Sequence, residues 1–241
     1  NYIQKFLWTV FMEKFTSCVT GEFKKFYPDG NARPFKGNTF ICHIPQNSNF
    51  FRFANYSSGE LSISDFYNKL ALLPNDSYHM TIFEGVCDDV RMENNWVKNM
   101  PLDTPFSDMM TYFFNSIPKL YKPEGFIMNA KKLRVQDNFE GIQFLMEPYN
   151  LEEEKKLKKF REVIKDVTGM VNHNEENYEF HVSISYIIKE FTDTEKETIF
   201  NTLEIINKRL TSNFNKVSLG PVEYCYFENM LKYFIISILK N

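Results

Sequence analysis

Apolar residues recur every three to four positions in several segments of this chain, which predicts amphipathic helices. The clearest segment begins with an acidic turn at Glu152 to Glu154, carries Phe160 within an apolar stripe, and ends at Gly169. Together with capping signals, this spacing predicts five helices, over residues 3–15, 62–74, 104–117, 150–169 and 192–210.

Three of these helices carry recognisable signals at their N-termini. Ser62 and Asp65 form a capping-box pattern, as do Thr192 and Glu195. Thr104 precedes a proline at the first helical position and is therefore the expected N-cap. Arg161, in the middle of the helix over residues 150–169, is expected to lie at the protein surface.

Shorter segments alternate between apolar and polar residues, or are apolar between turn residues, which predicts β-strands. Two of the strands are "TFICHI" and "YHMTIF", a third is "NYEFHVSISYII", and two hairpins are "GFIMNAKKLRV" with "FEGIQFLMEP" and "VEYCYF" with "LKYFIISIL". Helices interleaved with hairpins favour an α+β fold with antiparallel sheets over a parallel α/β fold.

Each half of the chain contains a helix followed by a strand with a central histidine, which predicts two similar lobes. We expect one bilobal domain over residues 1–241, with residues 1–28 as an N-terminal helical extension. The chain has 241 residues, of which 43% are hydrophobic and 17% aromatic, enough for a substantial core.

Charge and cysteine spacing narrow the classes of function. The net charge of −3 argues against binding to duplex DNA through a broadly basic surface. The apolar run "FLWTVFM" is much shorter than the roughly 20 residues that span a bilayer. Scattered cysteines suggest free thiols and no zinc site, so we expect a cytoplasmic protein. The sequence begins at Asn1, which leaves a processed or truncated N-terminus open.

Two histidines each precede a hydroxyl residue by two positions in a predicted strand: His79 with Thr81, and His181 with Ser183. Side chains two positions apart share one face of a strand, so each imidazole and its hydroxyl point the same way. Two such pairs suit phosphodiester cleavage without a metal or cofactor. One neutral imidazole accepts a proton, a protonated one donates a proton to the leaving oxygen, and the hydroxyls bind the phosphate oxygens.

Strand alternation supplies further candidates for a cleft around these residues. Phe83 falls on the face of His79 and could stack a base, with a core position as an equal alternative. Ser185 falls on the face of His181. Tyr78 and Tyr186 fall on the opposite faces, and would reach the cleft only where a strand bulges, twists or ends.

Three residues lie in or beside the first predicted strand. Lys36 and Asn38, where the loop "FKGNTF" enters the strand, are candidates for the cleft mouth. His43 shares a strand face with Ile41 and is expected to be structural.

The motifs "HMTI" and "HVSI" resemble those of the two-histidine (2H) phosphoesterase superfamily. The segments "DGNARPFKGNTFICHI", "LPNDSYHMTIFEGV", "YEFHVSISY" and "EYCYFENMLKYF" are similar, in this order, to segments of a poorly characterised branch of that superfamily. The resemblance implies two lobes, each an antiparallel-rich sheet with helices outside, that face a central cleft. It also implies that His79 and His181 are the acid and base, and that Thr81 and Ser183 bind phosphate.

Activities in that superfamily include cleavage of 2′,3′-cyclic phosphates, 2′,5′-linked oligonucleotides, cyclic dinucleotides and the 3′ ends of small RNAs. We therefore expect a metal-independent phosphodiesterase that acts on a small nucleotide or short oligonucleotide. The alternatives are an RNA 3′-end processing enzyme with the same site, and a nucleotide-binding module without turnover. The sequence does not indicate the oligomeric state, the base, the linkage or which histidine is the acid.

Overall fold

The structure, a computed structural model, describes residues 14–171, 178–210, 214 and 216–240. This part of the chain contains nine strands and five helices. The helices are α1 (Ser17–Thr20), α2 (Asn49–Ser62), α3 (Phe106–Ser116), α4 (Leu151–Thr168) and α5 (Asp193–Leu210). The strands are β1 (Gly37–His43), β2 (Leu70–Leu72), β3 (His79–Cys87), β4 (Ile127–Val135), β5 (Gly141–Pro148), β6 (His181–Ile187), β7 (Val217–Ser218), β8 (Val222–Asn229) and β9 (Lys232–Leu239). Short 3₁₀ turns occupy Tyr67–Lys69, Asn75–Ser77, Glu93–Asn95 and Ile117–Lys119.

The strands form two antiparallel sheets. One sheet has four strands in the order β3-β1-β8-β9, and the other has five in the order β2-β6-β5-β4-β7. Each sheet therefore contains one of the two motif strands, and β3 and β6 contact each other where the sheets meet. The expected α+β fold with two antiparallel sheets is confirmed.

The two sheets do not correspond to the two halves of the sequence. The C-terminal strands β8 and β9 pair beside β1, and complete the sheet that holds His79. The short strand β2, from the first half of the chain, pairs with β6 in the sheet that holds His181. Each sheet is thus built from both halves of the chain.

Several predicted elements match the structure closely. Helix α4 begins after Asn150, whose side chain accepts a hydrogen bond from the backbone of Glu153, and Gly169 ends it with a φ of 65°. The capping box of α5 is present, since Thr192 and Glu195 exchange hydrogen bonds of 2.7 and 3.3 Å. Both predicted hairpins, β4 with β5 and β8 with β9, are formed.

The prediction of a helix over residues 62–74 is wrong. In the structure a helix ends at Ser62 instead of beginning there, and its N-cap is Ser48, which accepts a hydrogen bond from Phe51 N at 3.1 Å. Residues 67–69 form a 3₁₀ turn and residues 70–72 form β2. Pairing with β6, which is distant in the sequence, prevails here over the local capping pattern.

Two further expectations need adjustment near helix starts. Pro105, not Thr104, is the N-cap of α3, and no side chain caps that end. Of the helix predicted over residues 3–15, residues 1–13 lie outside the described residues. Phe15 forms an isolated β-bridge with Lys189. Among the described helices, none has both the length and the apolar character needed to cross a bilayer.

Arg161 is buried in the structure, so its predicted surface position is wrong. Its side chain is 5% exposed, and its Nη1 donates a hydrogen bond to the carbonyl oxygen of Ile82 in β3. The guanidinium carbon lies 4.6 Å from the ring centroid of Tyr178 and 5.4 Å from that of Phe180, in the segment that leads into β6. Arg161 therefore joins helix α4 to both motif strands.

We expect the substitution Arg161→Met to lower the free energy of unfolding by about 2–4 kcal/mol, because it removes a charge-assisted hydrogen bond and cation–π contacts from a buried position. Arg161→Lys keeps the charge but loses the planar group, and should have an intermediate effect. The exposed Arg52 on α2 provides the matched control Arg52→Met, expected within roughly 0.5 kcal/mol of wild type. Equal chemical denaturation midpoints for Arg161→Met and Arg52→Met would contradict this role.

Candidate active site

The two motif strands open onto one cavity with a volume of about 450 Å³. The cavity is lined by both histidines and both motif hydroxyl residues: His79, Thr81, His181 and Ser183. Residues about a hundred positions apart in the sequence are therefore brought to one site, because β3 and β6 contact each other at the junction of the sheets.

Both imidazoles are held by the same local hydrogen bond. Nδ1 of His79 lies 2.7 Å from the carbonyl oxygen of Ser77, and Nδ1 of His181 lies 2.8 Å from the carbonyl oxygen of Glu179. A carbonyl oxygen only accepts hydrogen bonds, so Nδ1 carries the proton in each ring. This leaves Nε2 of each histidine as the nitrogen available for proton transfer.

Burial keeps both imidazoles neutral in the free protein. The pKa of His79 is lowered to about 3, mainly by burial and to a smaller extent by nearby His43 and His181, against the opposing effect of the bond to Ser77. Burial likewise lowers the pKa of His181, and the charges of Lys25 and Arg134 act in the same direction. The hydrogen bond to Glu179 and the charge of Glu84 oppose this shift. The two histidines therefore have the same tautomer but different electrostatic surroundings.

An irregularity in β3 moves Phe83 away from the cleft and into the core, which was the alternative to a cleft position. The pairing of β1 with β3 shifts register between Phe40 and Ile41, opposite Phe83 and Thr81. Beyond the shift Phe83 is fully buried in the core, and Glu84 lines the cavity in its place. Phe83 is therefore not placed to stack a base.

A second irregularity in β6 exchanges the positions expected for Ser185 and Tyr186. The pairing of β5 with β6 shifts register between Ile142 and Gln143, so that alternation breaks after Ser183. Ser185 is buried and its hydroxyl donates to backbone carbonyl oxygens, which corrects its predicted place in the cleft. Tyr186 lines the cavity, as predicted for the case of a bulged strand.

Of the other three candidates, one lines the cavity. Tyr78 is 2% exposed and packs near Phe51, because it precedes β3 and points to the core side. Lys36 is exposed and does not line the cavity, since it lies before β1 begins. Asn38 lines the cavity, where its Oδ1 accepts a hydrogen bond from Val86 N at 3.0 Å and ties β1 to β3.

Two tyrosines that sequence reasoning missed lie against the histidines. The ring centroid of Tyr233 in β9 is 4.1 Å from that of His79. The ring centroid of Tyr178 is 6.4 Å from that of His181, with an angle of 29° between the ring planes, and burial raises the pKa of the Tyr178 hydroxyl. No sequence signal marks Tyr233, because its place depends on the pairing of β9 beside β8.

Charged and amide side chains that the sequence analysis also missed complete the wall: Lys25, Glu84, Gln136 and Glu140. A second pocket of about 390 Å³ adjoins the cavity and shares four of its residues, His181, Glu84, Gln136 and Tyr178. Its other lining residues are polar or charged: Arg134, Asp137, Asn138, Gln143 and Glu179. His181 thus lies between two connected pockets.

Of the remaining histidines, one lies beside the cavity and one lies outside the described residues. His43 pairs through Nδ1 with Glu223 and does not line the cavity, but its ring centroid is 6.2 Å from that of His79. His173 lies outside the described residues. In the part of the chain that the structure describes, no group of three or more His, Cys, Asp or Glu side chains is arranged to hold a metal ion.

The low pKa of His79 predicts how the protein responds to acid. The unfolded chain protonates this histidine near pH 6.5, whereas the folded protein does so only near pH 3, so stability should fall as the pH drops through this interval. In NMR spectra of the labelled protein, the His79 ring should keep the shifts of the neutral Nδ1–H tautomer from pH 7 to pH 5. A midpoint near 6.5 for this ring in the folded protein would contradict the burial effect.

Comparison with known proteins gives a partial match to one family model and a match to one solved fold. Residues 25–138 match the family model 2H-phosphodiest, a domain of unknown function (DUF1868). The match is slightly shorter than half of the chain; it contains His79 and Thr81, whereas His181 and Ser183 lie beyond it. No curated protein matches the chain.

Two solved structures were compared with the fold. A conserved protein of unknown function, ATU0111 from Agrobacterium tumefaciens str. C58, has a TM-score of 0.84 at 22% identity over 96% of each chain, which confirms the fold. A phosphoesterase structure has a TM-score of 0.48 at 8% identity, over 87% of this chain and 100% of that one, and is too distant to add to the argument. The family match confirms that this chain resembles the two-histidine phosphoesterases, as the two H-x-[ST] motifs predict.

Proposed function

We propose that the protein is a phosphodiesterase that cleaves a small nucleotide or short oligonucleotide with His79 and His181 as its acid and base. The observation that carries this proposal is the pairing of two imidazoles in one cavity, each with its Nδ1 proton bound to a backbone carbonyl. Each ring therefore offers Nε2 for proton transfer, and each has a hydroxyl side chain two residues further along its strand.

The proposed reaction needs two proton transfers at one phosphorus atom. One histidine takes the proton of the attacking hydroxyl or water as the new P–O bond forms. The other donates a proton to the leaving oxygen as the old P–O bond breaks. The hydroxyls of Thr81 and Ser183 donate hydrogen bonds to the nonbridging oxygens, where negative charge increases in the transition state.

The surroundings of the two histidines favour one assignment of roles. His79 is the more strongly disfavoured as a cation, which suits a base that is neutral before reaction. Glu84 favours the protonated form of His181 against the opposing charges of Lys25 and Arg134, and the negative charge of a bound phosphate would act in the same direction as Glu84. We therefore assign the base to His79 and the acid to His181.

The adjoining pocket bears on the alternatives. Because it continues from the cavity beyond His181, it favours a substrate longer than one nucleotide, including the 3′ end of a short RNA. Nucleotide binding without turnover is the non-enzymatic alternative. Assays on a panel of cyclic dinucleotides, 2′,5′-linked oligoadenylate, 2′,3′-cyclic nucleotides and short RNAs would separate these hypotheses. The two enzymatic hypotheses predict cleavage of different panel members, and binding without turnover predicts no product.

On the substrate that the panel identifies, His79→Ala and His181→Ala should each lower kcat about 10²–10⁴-fold. Thr81→Val and Ser183→Ala should each lower it roughly 10–100-fold, because each removes one hydrogen bond to the phosphate. Arg52→Met, at an exposed position of α2 outside the cavity, is the control and should retain most activity. Activity should also survive EDTA; a requirement for added metal, or full activity of either histidine variant, would overturn the proposed mechanism.

The role assignment can be tested with leaving groups of different basicity. A p-nitrophenyl phosphodiester releases a stable anion and needs little help from an acid. Relative to wild type, His181→Ala should therefore lose much less activity on this ester than on a nucleotide substrate with an alcohol leaving group. His79→Ala should lose similar activity on both substrates, and the reverse result would exchange the two roles.

A further inference from the structure

Lys25 is the one lysine or arginine that lines the cavity among the described residues. Its Nζ lies 5.3 Å from the ring centroid of Tyr186 and 5.7 Å from that of Phe35, in two cation–π contacts. Within the described chain, no carboxylate oxygen is within ion-pair distance of this ammonium and no side chain accepts a hydrogen bond from it. Its N–H donors are therefore available to a ligand or to water.

The backbone holds Lys25 firmly in this position. Its N–H donates to the carbonyl oxygen of Cys18 at 2.8 Å, and its own carbonyl accepts from Arg33 N at 2.9 Å. The next residue, Phe26, is fully buried and packs against Tyr186 with a centroid distance of 4.9 Å. The ammonium is thus presented to the cavity by a fixed segment.

The ammonium of Lys25 lies beside the C-terminal part of β6, beyond the two motif residues of that strand. His181, Ser183 and Tyr186 follow one another along the cavity side of the strand, and Lys25 sits over Tyr186. Tyr186 is three positions after Ser183, which corresponds to about 10 Å along an extended strand. The ammonium beside Tyr186 would therefore contact a part of the ligand that extends beyond the phosphate bound by Ser183.

The charge of the cavity makes this cation important for a ligand with more than one phosphate. Glu84 and Glu140 also line the cavity, so two carboxylates accompany the one ammonium there. Tyr186 and then these two carboxylates raise the pKa of Lys25 against the effect of its burial, so the ammonium stays charged at neutral pH. Within this cavity, as far as the structure describes it, Lys25 is the one Lys or Arg side chain that a second phosphate would meet.

We propose that Lys25 forms a second anion-binding subsite, which binds a phosphate beyond the scissile phosphate. The proposal rests on the proposed function and narrows its substrate class to short oligonucleotides or dinucleotides with an additional phosphate. A nucleoside 2′,3′-cyclic phosphate, which has a single phosphate, would leave this subsite empty.

Binding to a variant without turnover tests the subsite directly. In the His79→Ala, His181→Ala double variant, isothermal titration calorimetry would compare a dinucleotide without terminal phosphate with the same dinucleotide carrying a 5′- or a 3′-phosphate. Adenosine and uridine dinucleotides are used, in both 3′,5′ and 2′,5′ linkage. We expect one of the two terminal phosphates to increase affinity about tenfold, as a charge-assisted hydrogen bond does.

That gain should disappear when Lys25→Met is added and persist in part with Lys25→Arg. It should be unchanged with the matched control Lys24→Met, whose side chain is exposed. If Lys25→Met does not fold by thermal melting, Lys25→Gln replaces it. No gain from either terminal phosphate, or a gain that survives loss of the Lys25 charge, would overturn the subsite while leaving the proposed function intact. Failure of every dinucleotide to bind would also overturn the subsite, whereas the proposed function would be overturned only if no member of the substrate panel were cleaved.

Discussion

The geometry of the site depends on one buried cation that touches both motif strands. Arg161 donates a hydrogen bond to Ile82 of β3 and lies against the rings of Tyr178 and Phe180, which lead into β6. Backbone pairing alone does not join these strands, because β3 and β6 belong to different sheets. A guanidinium suits this position, since its planar group can donate along its edge and stack on its faces.

The sequence predicted the four central residues of the site and not most of the wall around them. Strict alternation is a local rule, and it places His79 with Thr81 and His181 with Ser183 correctly. Just beyond each pair the alternation breaks, at register shifts set by the neighbouring strands β1 and β5. A single sequence contains no separate signal for these shifts, and each one turns the residues beyond it to the other face of the strand.

The same limit explains the errors in the fold. Helix α2 contains Asn, Ser, Gly and Phe, which have low helix propensity, and its helical form depends on burying Phe50, Ala54 and Leu61. Strand β2 exists because it pairs with β6, more than a hundred residues away. By contrast α4 and α5 have strong local capping and apolar stripes, so they were predicted nearly to the residue. Lys25 carried no signal, because its place in the cavity depends on contacts of the segment before β1.

Burial of the two histidines links binding to chemistry in the proposed reaction. Without a bound anion, burial keeps both imidazoles neutral. Neither ring can then donate a proton to the leaving oxygen until a negative charge stabilises its protonated form. A phosphodiester brings one negative charge between the two rings, and in surroundings of low dielectric that charge strongly favours protonation of the nearer ring. The acid would then form mainly when the phosphate is in place, and a neutral ligand of similar shape would not generate it. The desolvation that makes each histidine a poor acid in the free protein would thus restrict acid catalysis to an anionic substrate.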